Sequence, residues 1–188
     1  MVRTTRILVV MTLLLVAFAT PAMAAHEGPI KGTVMGEHFP PDFTDEDCIA
    51  AGYVWRFSSA GEAGVGQMSH LGRVADYSLT QCTIPGPDGT ESVGTVTFTA
   101  ANGDELWIEH TMLGQIIGEF PGGQLDGFTF VGTWEAVGGT GRFAHATGSG
   151  SLDGAGDIPD GVAYFDGIPD GLLQLNLTGS IAYDRSGK

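Results

Sequence analysis

The residue best suited to acid–base chemistry is His110, which lies in an alternating run from Asp104 to Leu113. Leu106, Ile108 and Met112 have the same parity, so on a β-strand this imidazole shares the apolar face. Histidine titrates near neutral pH, which leaves a general acid or base role open to it. The simpler interpretation is a core or barrel-rim histidine whose polar atoms are satisfied. The sequence therefore offers one catalytic candidate and no defined reaction.

Other side chains suited to ligand contacts are aromatic or imidazole groups in neighbouring runs. Alternation places most of them on the apolar face of their own strand, whereas the run that contains His70 has mixed parity. A small-molecule site needs an apolar cavity with a few convergent polar groups. We predict that the following residues contact a ligand: Tyr53, Trp55, His70, Tyr77, His110 and Trp134.

Acidic residues offer two further kinds of chemistry, and the pattern argues against both. Parity places Glu109 and Glu135 on the outer face, so a catalytic carboxylate pair needs the parity of one strand to be wrong. Aspartates among glycines at 153–161 and 166–171 resemble calcium loops, but their spacing fits no EF-hand and turn formation explains them better. The histidines and cysteines have no zinc spacing. We predict no metal site.

Familiar cofactor and hydrolase motifs are also missing from the sequence. It contains no Gly-x-Ser-x-Gly elbow, no phosphate loop and no dinucleotide fingerprint. We therefore expect no cofactor.

These candidates must be positioned by strands, because 30 glycines and nine prolines divide the chain into short runs without helical periodicity. Asn102-Gly103 predicts a tight hairpin turn. Nine runs read as strands, and we expect Gly72 to be a bulge that merges two of them. Many similar antiparallel strands predict an all-β fold, a single antiparallel barrel of about eight strands. The runs are Pro29–Glu37, Tyr53–Ser59, Val65–Leu71, Arg73–Thr83, Ser92–Ala101, Asp104–Leu113, Gly127–Val137, Thr147–Gly154 and Leu172–Tyr183.

The amino terminus has the order of a secretory signal peptide. Arg3 and Arg6 precede an apolar run from Ile7 to Ala19, and the small-residue ending Ala22-Met23-Ala24 follows. Residues 1–24 are thus predicted to be removed on export, which leaves one barrel domain at 25–188 in the periplasm or outside the cell. The run is short for a membrane span and no later run is longer, so we expect no membrane insertion.

Two cysteines remain after the predicted signal, in a chain bound for an oxidising compartment. A disulfide between Cys48 and Cys82 is the favoured interpretation, and a catalytic thiol is the alternative. The segment from Phe39 to Ala51 is predicted to be a loop, or a short helix that begins at Thr44. Cys48 would tie this segment to the barrel.

The charge of the chain excludes one class of partner. Its net charge is −14, and without Arg3 and Arg6 six basic and 22 acidic residues remain, a net charge of −16. Nucleic-acid binding requires a basic surface, and here the cations are scattered singly. We expect no nucleic-acid partner.

Three segments carry a family resemblance, namely 69–73, 97–104 and the glycine-rich stretch Gly138-Gly139-Thr140-Gly141-Arg142-Phe143 with its continuation to Gly148. They resemble small secreted bacterial proteins, and the glycine-rich stretch looks like dirigent proteins and, more distantly, allene oxide cyclases. The resemblance covers roughly residues 66 to 183. It implies an eight-stranded antiparallel barrel around an apolar cavity, and it implies that the chain could form a homo-oligomer. No catalytic motif of these families matches residue by residue.

Three functions follow as expectations. The first is a secreted barrel that binds a small apolar molecule in its interior. The second is an enzyme of the cyclase or isomerase type, in which His110 or a tyrosine assists. The third is a structural or cell-surface interaction protein with a filled barrel.

Overall fold

The fold is one antiparallel sheet of nine strands, in a computed structural model that describes residues 25–62, 65–118, 125–158 and 171–184. The predicted signal at 1–24 lies outside the described residues. Two short helical segments, α1 (Glu46–Ala50) and a 3-10 turn (Gly141–Phe143), interrupt the strands. The strands are β1 (Ala25–Asp42), β2 (Trp55–Gly61), β3 (Gly66–Met68), β4 (Gly72–Gly86), β5 (Gly89–Ala100), β6 (Glu105–Gly118), β7 (Leu125–Gly139), β8 (Thr147–Asp157) and β9 (Gly171–Asp184).

Pairing between β1 and β9 closes the sheet into a barrel. Their register runs from Ala25 opposite Asp184 to His38 opposite Gly171. Between β1 and β4, β2 and β3 follow one another along the same line, because each pairs with both of these strands. The nine strands therefore fill eight positions around the ring. This confirms the predicted all-β barrel of about eight strands.

The merger that reduces nine runs to eight positions is not the predicted one. Gly72 does not join two runs as a bulge, because Met68 pairs with Gly72 across a tight turn between β3 and β4. His70 and Gly72 have φ angles of 71° and 75° in this turn, a left-handed conformation that turns use and extended strands do not. The prediction for Gly72 is therefore wrong, and β2 and β3 share the position instead.

The hairpin predicted at Asn102-Gly103 is confirmed, with a different turn. The Gly103 N–H donates to the Ala100 carbonyl, and the Ala100 N–H donates to the Asp104 carbonyl. Gly103 has a φ of 86°, whereas Asn102 has no positive φ. The loop thus has three residues and a glycine in the left-handed position, which is a common alternative to the two-residue turn.

Helix α1 begins at Glu46, and Asp45 caps it by accepting a hydrogen bond from the Cys48 N–H at 2.9 Å. This confirms a short helix close to the predicted start. Cys48 is bonded to Cys82 of β4, as predicted. We call this end of the barrel, where α1 and the disulfide lie, the helix end.

The opposite end, which we call the plug end, is closed by the 3-10 turn. Phe143 is fully buried there, with its ring 5.0 Å from the ring of Tyr183. Arg142 forms an ion pair with Asp104 at 3.3 Å and extends towards the Leu71 carbonyl. The glycine-rich stretch is therefore a structural cap. In the described residues, no helix combines the length and apolar character needed to cross a membrane.

The barrel is filled by one continuous cluster of inward-facing apolar side chains. Alternation predicted the buried residues of β6 and β9 correctly, including Leu106 and Ile108. On β8, the prediction of turn glycines is wrong for the described part, because Gly154 and Gly156 lie within the strand. The remaining aspartate–glycine positions, 159–170, are outside the described residues.

Candidate functional site

His110 lies at the middle of β6 on the inner wall of the barrel. It is 4% exposed, and among the described residues neither ring nitrogen has a hydrogen-bond partner. Burial lowers the pKa of this imidazole from 6.5 to about 4. His110 is therefore neutral at physiological pH, with one N–H donor and one nitrogen acceptor, both unused.

Gln81 of β4 is a second inward polar residue, and the sequence analysis missed it. It follows Tyr77 and Leu79, which are buried, at the same parity. Its Oε1 atom is buried and has no hydrogen-bond partner in the described part of the chain. The next inward position after Tyr77 and Leu79 is residue 81, so the alternation of β4 already indicated that Gln81 faces the interior.

Strand register places Gln81 and His110 on either side of a glycine. Gln81 pairs with Gly94 of β5, Gly94 pairs with His110, and His110 pairs with Trp134 of β7. We call these four residues the inner row. Because Gly94 has no side chain, nothing from β5 separates the two polar groups. Their α-carbons are two strand spacings apart, roughly 10 Å.

Trp134 forms the apolar end of the inner row. It is 2% exposed, and its indole N–H donates to the carbonyls of Ser151 and Thr178 at 3.2 and 3.1 Å. Its ring lies against Gly179, where an added Cβ would be 2.7 Å from Cζ2. Since its single N–H is already used, Trp134 presents only an aromatic surface to the interior.

Tyr77 is buried on the same strand as Gln81, and its hydroxyl is already engaged. The hydroxyl lies 2.7 Å from Ser59 Oγ, which donates to the Glu37 carbonyl at 2.7 Å. Tyr77 is thus the donor to Ser59. Burial raises the pKa of Tyr77, so its hydroxyl stays protonated.

Tyr53 and Trp55 lie towards the helix end and are half-buried. Tyr53 precedes β2, and its N–H donates to the Cys48 carbonyl at 2.9 Å. Trp55 opens β2 and packs its ring 5.7 Å from that of Phe43. Trp55 has the parity of Phe57, which pairs with Gln81. Trp55 also packs against the buried core cluster.

His70 lies at the plug end, away from the inner row. Its Nε2–H donates to the Pro29 carbonyl at 2.8 Å, and its Nδ1 is 3.2 Å from the Tyr183 hydroxyl, which donates to it. The ring of His26 is 5.4 Å away. Both nitrogens of His70 are therefore used, unlike those of His110, and the structure does not bring these two residues together.

His38 is a further inward residue, and the sequence analysis did not propose it as a site residue. It is fully buried, and its Nε2–H donates to the Asp157 carbonyl at 2.7 Å. Its ring lies 5.8 Å from that of Phe57 and 5.2 Å from that of Phe128. These three rings form an aromatic cluster between the inner row and the helix end. His38 has the same parity as buried Val34 on β1, and this alternation could have predicted that His38 faces the interior.

No carboxylate side chain is buried inside the barrel in the described residues. Glu109 and Glu135 pair directly across β6 and β7, and both are exposed, as parity predicted. In the same part of the chain, no group of three or more histidine, cysteine or acidic side chains is placed to hold a metal ion. The inner row itself consists of a glycine, a neutral amide, an imidazole and an indole.

Comparison of the chain with protein-family models, with curated proteins and with solved structures found no match. The interpretation of the inner row rests on its geometry.

Proposed function

We propose that this protein binds a small apolar molecule inside its barrel, against the inner row. The observation that carries the proposal is the buried imidazole of His110, which has no hydrogen-bond partner in the described residues. A buried polar group without a partner costs about 1 to 3 kcal/mol, and a bound molecule that supplies the partner recovers this energy. The surrounding aromatic and aliphatic side chains suit an apolar ligand.

We place this function outside the cytoplasm. The disulfide between Cys48 and Cys82 fits an oxidising compartment, as does the predicted signal peptide at 1–24. The resemblance to dirigent and allene oxide cyclase-like barrels supports the same proposal, since those barrels enclose apolar cavities. The net charge of −16 after removal of the signal disfavours anionic ligands.

The alternatives are weaker on the same observations. An enzyme of the cyclase or isomerase type would use His110 as a base, but burial lowers the pKa of this imidazole to about 4 and makes it a weak one. A purely structural protein is expected to have a filled barrel, and the continuous apolar core agrees with that expectation. Such a barrel gains nothing from an unpartnered imidazole, because an apolar residue there is more stable.

The test is a titration with neutral lipophilic compounds of increasing size, beginning with naphthalene. In a Trp55→Phe/Trp107→Phe variant, Trp134 is the sole tryptophan, and we expect saturable changes in its fluorescence. The matched control is a Trp55→Phe/Trp134→Phe variant, whose remaining Trp107 is 39% exposed on the outer face and should not respond. Silence of Trp134 across the whole panel would overturn the proposal.

A further inference from the structure

We propose that the inner row selects a neutral molecule that carries a hydroxyl group. The hydroxyl donates its hydrogen to Gln81 Oε1 and accepts one from the His110 N–H. This inference rests on the proposed function, because it names the chemical class of the ligand at the same site.

The two partners of this hydroxyl are the unused groups of the inner row. Gln81 Oε1 is buried and accepts only, and neutral His110 offers one N–H. Gly94 lies between them without a side chain. Because β5 contributes no side chain at this position, Gln81 and His110 are the side chains paired on either side of Gly94.

Two neighbouring pairs of inward hydroxyl groups are satisfied by one another, whereas Nδ1 of His38 on β1 is buried without a partner in the described residues. Thr83 Oγ1 and Ser92 Oγ lie 2.9 Å apart, and the Tyr77 hydroxyl donates to Ser59. These pairs have no need of a ligand. On β4, β5 and β6, the buried side-chain atoms without a hydrogen-bond partner in the described residues are Oε1 of Gln81 and both ring nitrogens of His110.

The chemistry of these two groups excludes other ligand classes. A ketone or an ether only accepts, and would leave Gln81 Oε1 unpaired. A carboxylate would place a charge beside that oxygen, and an ammonium group would need a counter-charge. The buried polar side chains of the described residues are His38, Ser59, Thr83, Ser92 and His110, and no Asp, Glu, Lys or Arg is among them. Burial of an unpaired charge is strongly unfavourable.

Four probes of one size test the inference at pH 7: 2-naphthol, 2-methoxynaphthalene, naphthalene and 2-naphthoate. We expect 2-naphthol to bind about tenfold more tightly than 2-methoxynaphthalene, since only the naphthol can donate to Gln81 Oε1. Naphthalene should bind more weakly than either, and 2-naphthoate most weakly. Dissociation constants come from calorimetry, with Trp134 fluorescence as a second readout.

Two variants assign the preference to its residues. Gln81→Met keeps a similar volume, and should remove the preference for 2-naphthol over 2-methoxynaphthalene while both still bind. His110→Leu should reduce the affinity of 2-methoxynaphthalene to that of naphthalene, and should weaken 2-naphthol while its bond to Gln81 keeps it above naphthalene. His145→Leu is the matched control, because His145 is exposed and pairs with Asp184 at 3.1 Å, and its affinities should equal those of the wild type.

The outcomes separate the two proposals. Equal affinities of the wild type for 2-naphthol and 2-methoxynaphthalene overturn the hydroxyl inference and leave apolar binding intact. Retention of the preference in Gln81→Met overturns it as well. Absence of binding by all four probes overturns the proposed function itself. If a variant does not fold, ¹⁵N spectra of the wild-type imidazoles replace it: 2-naphthol should shift the His110 signals, and unchanged His110 signals on saturation would reject the contact.

Discussion

His110 and His70 show how differently one barrel treats two imidazoles. His70 uses both ring nitrogens, through Pro29 and Tyr183, whereas His110 is more deeply placed and uses neither among the described residues. An unpartnered buried imidazole lowers stability. Most buried polar groups in native proteins have a hydrogen-bond partner, so a buried imidazole without one calls for a specific explanation. The contrast supports a binding role for His110.

Replacement of His110 by leucine should therefore stabilise the protein. Leucine fills a similar volume and has no polar atoms to leave unpaired, so we expect the free energy of unfolding to rise by about 1 to 2 kcal/mol at pH 7. Urea denaturation of wild type and variant measures this difference. The same substitution at exposed His145 is the control, and should not increase stability. A destabilised His110→Leu would show that the imidazole contributes favourably to the fold.

The gain from this substitution should grow as the pH falls. Burial lowers the pKa of His110 from 6.5 to about 4, so between these values the unfolded chain binds a proton that the folded chain does not. Wild-type stability is then lost as the pH falls from about 6.5 to about 4, by up to roughly 3 kcal/mol, and no further below that range. His110→Leu has no imidazole at this position and lacks this loss. The difference in free energy of unfolding between variant and wild type, measured by urea denaturation, should therefore increase over the same pH interval.

At the scale of elements, β7 and β8 have complementary inner faces. Large residues of β7 face glycines of β8, and the one inward glycine of β7 faces a leucine. Aromatic rings can thus lie flat against the wall formed by the next strand, which keeps the interior densely packed. The pairs are Phe128 with Gly156, Phe130 with Gly154, Gly132 with Leu152, Trp134 with Gly150 and Ala136 with Gly148.

This complementarity predicts an unusual cost for a small substitution, Gly156→Ala. A methyl group there would overlap the Phe128 ring, with Cε1 at 2.6 Å. That ring is held between His38 and Phe57, at 5.2 and 5.7 Å, and cannot swing freely. We expect a loss of about 1 to 2 kcal/mol in the free energy of unfolding, measured by urea denaturation.

A second substitution tests the cause of this loss. Phe128→Leu shortens the side chain that the methyl group would meet, so the double variant with Gly156→Ala should be more stable than the sum of the single effects predicts. Additive effects would mean that the alanine acts through the backbone and not through the ring. The control is Ala155→Gly, which exchanges the same two residue types at a position exposed on the outer face of β8.

The same elements show what sequence patterns could and could not predict. Period-2 alternation placed nine strands and put His110 and Trp134 on inner faces, because burial of one face leaves that signal within a single strand. Gly154 and Gly156 of β8 were assigned to an aspartate–glycine turn, since their role depends on which rings lie opposite. Register between strands is a tertiary property, and Gln81 became a site residue only when Gly94 and His110 were aligned beside it.

At the scale of the whole molecule, the ring is completed by its shortest strands. The arc between β1 and β4 consists of β2, with seven residues, and β3, with three, whereas the other strands have 11 to 18. Fewer hydrogen bonds hold this arc, so local opening should begin there. The disulfide joins β4 to α1, directly before β2, and ties one side of this arc in place.

Removal of the disulfide should consequently open the barrel first at the arc formed by β2 and β3. Closing a loop with a sequence separation of 34 stabilises by about 3 to 4 kcal/mol in the chain-entropy model, and Cys48→Ala/Cys82→Ala should lose that amount. Hydrogen exchange followed by mass spectrometry should show faster exchange in β2 and β3 under conditions where β5 to β8 stay protected. Uniform acceleration of exchange around the ring would instead mean that the disulfide stabilises the molecule only as a whole.

Because Gln81 adjoins Cys82 and pairs with Phe57 of β2, the variant that opens this arc should also bind 2-naphthol more weakly, which links barrel closure to the inner row.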